Sequence, residues 1–97
     1  MVFEWDDTKS QRTFHERGFG FDHAARIFMG ATLERGDDRR NYGERRIQAL
    51  GRADSDILFV VYTDRGNIRH IISARRANRK ERRLWQLFAE LWHNSGE

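Results

Sequence analysis

Ile57-Leu58-Phe59-Val60-Val61-Tyr62 decides the fold. These six residues are apolar at both parities and rich in β-branched side chains, the pattern of a central strand covered on both faces or nearly so. On the C-terminal side, Asp64-Arg65-Gly66-Asn67 supplies a hairpin loop with glycine available for a positive φ angle, and residues 67–75 form the next strand. Strict alternation sets Ile68, His70, Ile72 and Ala74 on one face of it, and Arg69, Ile71, Ser73 and Arg75 on the other. A bulge near the Ile71-Ile72 pair would change that split. On the N-terminal side, a polar turn over 51–56 separates a strand over residues 45–50. Together the three strands form an antiparallel meander.

Helices flank the meander. Residues 1–5 alternate like a short edge strand. Asp6 or Asp7 is then a helix N-cap with acidic charge suited to the positive helix end, and Gly18 follows the last helical residue, Arg17. A second helix begins at Phe21-Asp22, with Asp22 as cap, Ala24, Ala25, Ile27 and Phe28 on its buried side, and Gly30 at its end. Residues 31–43 read as a loop with a short strand around 31–34. Asn78 and Glu81 make a capping box for the last helix, in which Leu84, Trp85, Leu87, Phe88, Leu91 and Trp92 recur at helical spacing. The expectation is an α+β domain over residues 1–97: two N-terminal helices, an antiparallel sheet of three to four strands, and a C-terminal helix. The helices should pack on one sheet face and leave the other open.

At 97 residues, with seven Phe and three Trp, the chain can close one core despite its 34% charged residues. Without cysteine there is no disulfide framework or thiolate metal site, which fits a reducing cytoplasm. The four histidines show no metal-ligand spacing, and no cofactor or metal is expected. No segment has the length and apolarity of a membrane span or a signal peptide.

Charge is strongly polarised. Residues 65–83 carry a net charge of +7 in a chain whose total is +3. Arg75, Arg76, Arg79 and Lys80 stand where the strand hands over to the capped helix, and helix N-terminal amides already favour anions. Arginine forks match phosphate oxygens in pairs, so this corner points to nucleic-acid phosphate. RNA is cut without a metal when a base takes the 2′-OH proton, a cation stabilises the crowded phosphorane, and an acid protonates the leaving oxygen. Arg69, Arg75 and Arg76 are the candidate phosphate-holding cations. His70 and Lys9 are the candidates for proton transfer, with Glu44 and Tyr62 in reserve. Arg65, Arg79, Lys80 and Arg83 would follow the RNA backbone. Trp85, Phe88 and Trp92 are core residues or, if exposed, a protein-partner groove.

Several of these segments, read together, resemble the BrnT toxin family. They are Phe3-Glu4-Trp5-Asp6 with Lys9, Gly18 and Phe21, Gly43-Glu44-Arg45, Val61-Tyr62-Thr63 with Arg65-Gly66, and Arg69 to Ala77 followed by Glu81-Arg82. The resemblance implies a RelE-like fold and a ribonuclease toxin of a type II toxin–antitoxin system that blocks translation. It implies neutralisation by a BrnA antitoxin with a ribbon-helix-helix part, whose complex with the toxin binds operator DNA. Two positions depart from the family's pattern: Arg17 stands where a histidine is frequent, and Trp85 where a tyrosine is. A non-catalytic nucleic-acid-binding module, or a protein-interaction module, is the alternative.

Overall fold

The computed structural model describes residues 1–95, and side-chain surroundings as far as residue 92. The chain is mixed α+β, as its sequence suggests, but its sheet has five strands. These are β1 (Val2–Trp5), β2 (Leu33–Gly36), β3 (Ile47–Ala53), β4 (Asp56–Arg65) and β5 (Ile68–Arg76), in the order β1-β5-β4-β3-β2. The meander β3-β4-β5 is antiparallel, with β4 at its centre. The two added strands are four-residue edges. β2 pairs antiparallel with β3, and β1 pairs parallel with β5 from Val2 opposite Ile68 to Trp5 opposite Ile71. Strands this short carry almost no period of their own, which hides their partners in the sequence.

Helix α1 (Asp7–Arg17) begins where the Asp6 carboxylate accepts the Lys9 N–H at 3.1 Å, and ends at Gly18, whose φ of 85° sends the chain back toward the sheet. Helix α2 (Phe21–Ala24) is shorter than its sequence suggests. Gly20, not Asp22, is its N-cap, and it tightens at once into a 3-10 turn over Ala25–Met29. Of the expected buried side, Ala24 and Ile27 are core and Ala25 and Phe28 are partly buried against it; Phe21 joins them, and the segment packs on Ala49, Leu58, Val60, Tyr62, Ile71 and Ala74. Burial of Phe21, Ile27, Leu58 and Ile71 stabilises by about 1.5–3 kcal/mol each. The turn lies so close to β3 that a Cβ on Gly51 would come within 2.7 Å of the Ile27 Cβ.

Three features depart from the expected layering. β5 carries a bulge: Val61 pairs with Ser73 but Tyr62 with Ile71, so Ile72 is the extra residue. The second sheet face is not bare, since Gln48, Leu50, Val61 and Thr63 are buried there. Thr63 Oγ1 donates to the Arg45 carbonyl at 2.7 Å, tying down the loop that precedes β3. Finally, α3 (Arg79–Ser95) does not join the helical layer. It touches the body chiefly at β3, and Leu84, Leu87, Leu91 and Trp92 remain exposed. Among the described residues no helix is long and apolar enough to cross a membrane.

Candidate active site

The bulge sorts the basic residues of β5. Beyond it the register pairs Thr63 with His70 and Asp64 with Arg69; before it, Phe59 pairs with Arg75 and Leu58 with Arg76. Cross-strand partners share a face, so His70 and Arg75 lie together on the face away from α2, with exposed Ser73 between them. Arg69 and Arg76 lie on the opposite face, with the helical layer. The expected trio of Arg69, Arg75 and Arg76 is therefore not brought together: the extra residue separates Arg69 from Arg75, and Arg76, next to Arg75 in the strand, takes the other face.

On the first face His70 meets Glu4 from β1, with Nδ1 3.1 Å from Oε1. A carboxylate there favours the tautomer with hydrogen on Nδ1 and leaves Nε2 as the proton-accepting atom. Arg65 reaches the same Glu4 oxygen at 3.5 Å and Glu44 at 3.3 Å. Arg46 lies 3.5 Å from Glu44 and its guanidinium 3.9 Å from the Tyr42 ring centroid. His70 is thus a partly exposed imidazole beside a carboxylate and a cation, not a histidine closed into the core.

About 13 Å along the same face, four residues of strand, lies the second group. Arg75 donates to both oxygens of Glu81 at 2.7 and 2.8 Å, and its guanidinium lies 4.1 Å from the Phe59 ring centroid. Glu81 also accepts the Asn78 N–H while Asn78 Oδ1 accepts the Glu81 N–H, both at 2.8 Å, which is the capping box expected at this helix start. The Arg75 side chain holds the Glu81 carboxyl below its usual range, and Glu81 raises the Arg75 guanidinium in turn. Lys80 lies beside this corner with Arg35 and Gln48, and also lines a depression with Arg79 and Arg83.

The opposite face is more closed. Arg69 donates to both oxygens of Asp64 at 2.8 and 2.9 Å, and stacks between the Tyr62 and Phe28 rings at 4.0 and 4.7 Å from their centroids. The Tyr62 hydroxyl donates to Glu34 at 2.6 Å. Burial, and then that bond, push its phenol well above the usual tyrosine value, so it stays neutral. Arg76 donates to the Arg17 carbonyl, lies 3.6 Å from Asp56 and stacks on Phe19. Lys9 is exposed on α1, in the helical layer. Among the described residues no cluster of three or more His, Asp or Glu side chains is placed to hold a metal ion.

One sheet face thus carries several cations and an imidazole held against a carboxylate. Residues 5–81 match the family described as the ribonuclease toxin, BrnT, of type II toxin–antitoxin systems. The chain belongs to the BrnT toxin family. No curated protein matches it. The match runs from Trp5 to Glu81, so it takes in β2 to β5, both N-terminal helices and the capping box, and leaves Glu4 with most of β1, and nearly all of α3, outside.

As a member of a toxin–antitoxin family, the BrnT-like chain has an antitoxin for partner. Of the three expected partner-binding residues, Trp85 and Phe88 are half-buried and line a groove with Met29, Ala31 and Arg52, while Trp92 at its far end is 61% exposed. None of the three is core. Glu4, which contacts His70, is not marked by the sequence as a site residue. Its signal was the alternation over residues 1–5, which sets Glu4 opposite in parity to Phe3 and Trp5, but nothing in that alternation shows that it pairs with a residue 66 positions away.

Proposed function

We propose that this BrnT-family chain is a metal-independent endoribonuclease whose site is the sheet face carrying His70, Ser73 and Arg75. The observation that carries this reading is the His70–Glu4 contact beside Arg65 on a family-matched ribonuclease scaffold. In this scheme Nε2 of His70 takes the proton from a ribose 2′-OH. The 2′-oxygen attacks phosphorus, the bond from phosphorus to the 5′-oxygen breaks, and a 2′,3′-cyclic phosphate remains. Glu4 holds the imidazole in place, and Arg65 faces the charge that builds on the phosphorane. The leaving 5′-oxygen takes its proton from water, because Lys9, the candidate the sequence offers, is exposed on α1 in the layer on the opposite sheet face. Arg75, Lys80, Arg79 and Arg83 hold successive backbone phosphates, with Glu81 giving up part of Arg75 to RNA. Arg69 and Arg76, held by Asp64 and by Asp56 with the Arg17 carbonyl, serve the fold.

The remainder of the reading comes from the family. RNA cleavage in the cytoplasm blocks translation, a BrnA-type ribbon-helix-helix antitoxin neutralises the toxin, and the complex, not the toxin alone, binds operator DNA. The scaffold is RelE-like and the chain is one domain. To test this, the purified chain is incubated with a defined transcript in EDTA, and cleavage sites and end groups are mapped. Cyclic phosphate ends that persist in EDTA support the scheme. Retention of RNA without cleavage would instead mark a non-catalytic binding module, and loss of cutting rescued by added metal would overturn metal independence.

A further inference from the structure

We propose that the outer stripe of α3, Leu84, Leu87 and Leu91, is the docking site for an acidic amphipathic segment of the antitoxin, which thereby covers the basic first turn of the same helix. This rests on the toxin reading for the partner's identity. α3 carries two apolar rows. Trp85 and Phe88 turn toward the groove beside the 3-10 turn, whereas Leu84 borders the depression over β2 and β3 with Leu33, Leu50 and Phe59, and the row Leu84, Leu87 and Leu91 that runs on from it is 51%, 55% and 70% exposed. The three leucines stand at i, i+3 and i+7, a stripe about 10 Å long that matches the apolar face of a partner helix of two to three turns. A single exposed leucine needs no explanation, but a row of three on one helix does.

Charge selects the occupant. Arg79, Lys80, Arg82 and Arg83 precede the stripe, and Glu81 is already engaged by Arg75. A second copy of this chain with its α3 parallel would bring one cationic turn up to another, which like-charge repulsion opposes, and an antiparallel copy would set those cations against a helix end whose one carboxylate among the described residues is Glu90. RNA gains nothing from leucine, which offers no ring for base stacking. A segment with leucine-like residues on one side and carboxylates on the other satisfies both parts of α3. It would occupy Arg79, Lys80 and Arg83, the cations assigned above to the RNA backbone, so antitoxin and RNA would compete for them.

The probe is the antitoxin encoded beside this chain, intact and as overlapping peptides, titrated against the wild-type chain and against Leu87→Arg and Leu91→Arg. The expected result has three parts. An acidic peptide binds with an affinity that falls as salt rises. Each variant loses about tenfold or more of that affinity. Both variants keep the wild-type melting temperature and RNA cleavage. Wild-type affinity in both leucine variants would overturn the proposal, as would binding that ignores salt. So would a wild-type dimer that Leu87→Arg converts to monomer, or RNA retention lost in the same variants. If the wild-type chain cuts no RNA, the ribonuclease reading fails, while the docking surface is still decided by these titrations.

Discussion

Glu4 and Glu81 determine what two basic-face residues can do. Glu4 bonds one ring nitrogen of His70, so the proposed scheme uses the other for proton transfer; Glu81 holds Arg75 against Phe59 and makes that cation a fixed part of the surface. His70→Gln is expected to lower RNA cleavage by about 10²–10⁴-fold at unchanged melting temperature, as loss of a general base does. Glu4→Gln should cost less, because the imidazole survives without its orienting carboxylate. Tyr62→Phe is the contrasting case. It removes a buried hydrogen bond to Glu34, so thermal unfolding should show a loss of about 1 kcal/mol with cleavage unaffected. At this scale the sequence showed which residues carry chemistry but not their neighbours. His70, Arg65 and Arg75 stand out by type and charge, whereas the carboxylates that partner His70 and Tyr62 arrive from β1 and β2, edges too short to announce their pairing.

Among the elements, the bulge in β5 has the largest consequence. By parity alone Arg69 and Arg75 share a face; the extra residue at Ile72 separates them and sets His70 with Arg75 instead. Bulges have no reliable sequence signature, so the sequence could mark the place but not decide the outcome. The meander, the Asp6 cap, Gly18 and the Asn78–Glu81 box were all legible, because each rests on local chemistry. The packing of α3 was not, since an apolar face at helical spacing looks the same whether it meets the body or a partner. Close packing at β3 gives a direct check. Gly51→Ala places a methyl 2.7 Å from Ile27 and 3.1 Å from Thr32, and should destabilise by about 1–3 kcal/mol in urea unfolding. Glu81→Gln weakens both the Arg75 pair and the helix start. It should loosen α3, seen as faster amide exchange in residues 79–84, while the sheet keeps its protection.

For the molecule as a whole, charge distribution links stability and function. Asp37 is buried in the loop between β2 and β3, where hydrogen bonds from the Arg39 guanidinium hold its carboxyl down to about 2. Since the folded value lies below the unfolded one, this group's contribution is complete above about pH 4 and is lost as pH falls through about 2. Thermal melts should therefore show wild type outlasting Asp37→Asn at neutral pH, with the difference shrinking over that acid window. The basic band from Arg65 to Arg83 should make RNA affinity fall steeply with salt, and Lys80→Ala should reduce that slope. The central claim is that RNA is cut on the His70 side of the sheet and not on the Arg69 side. The most direct measurement is the single-turnover cleavage rate of one defined RNA by folded wild type, His70→Gln and Arg69→Lys in EDTA. The expected result is a loss of at least about a hundredfold for His70→Gln and a rate near wild type for Arg69→Lys. Wild-type cleavage by His70→Gln, or a collapse confined to Arg69→Lys, would contradict it.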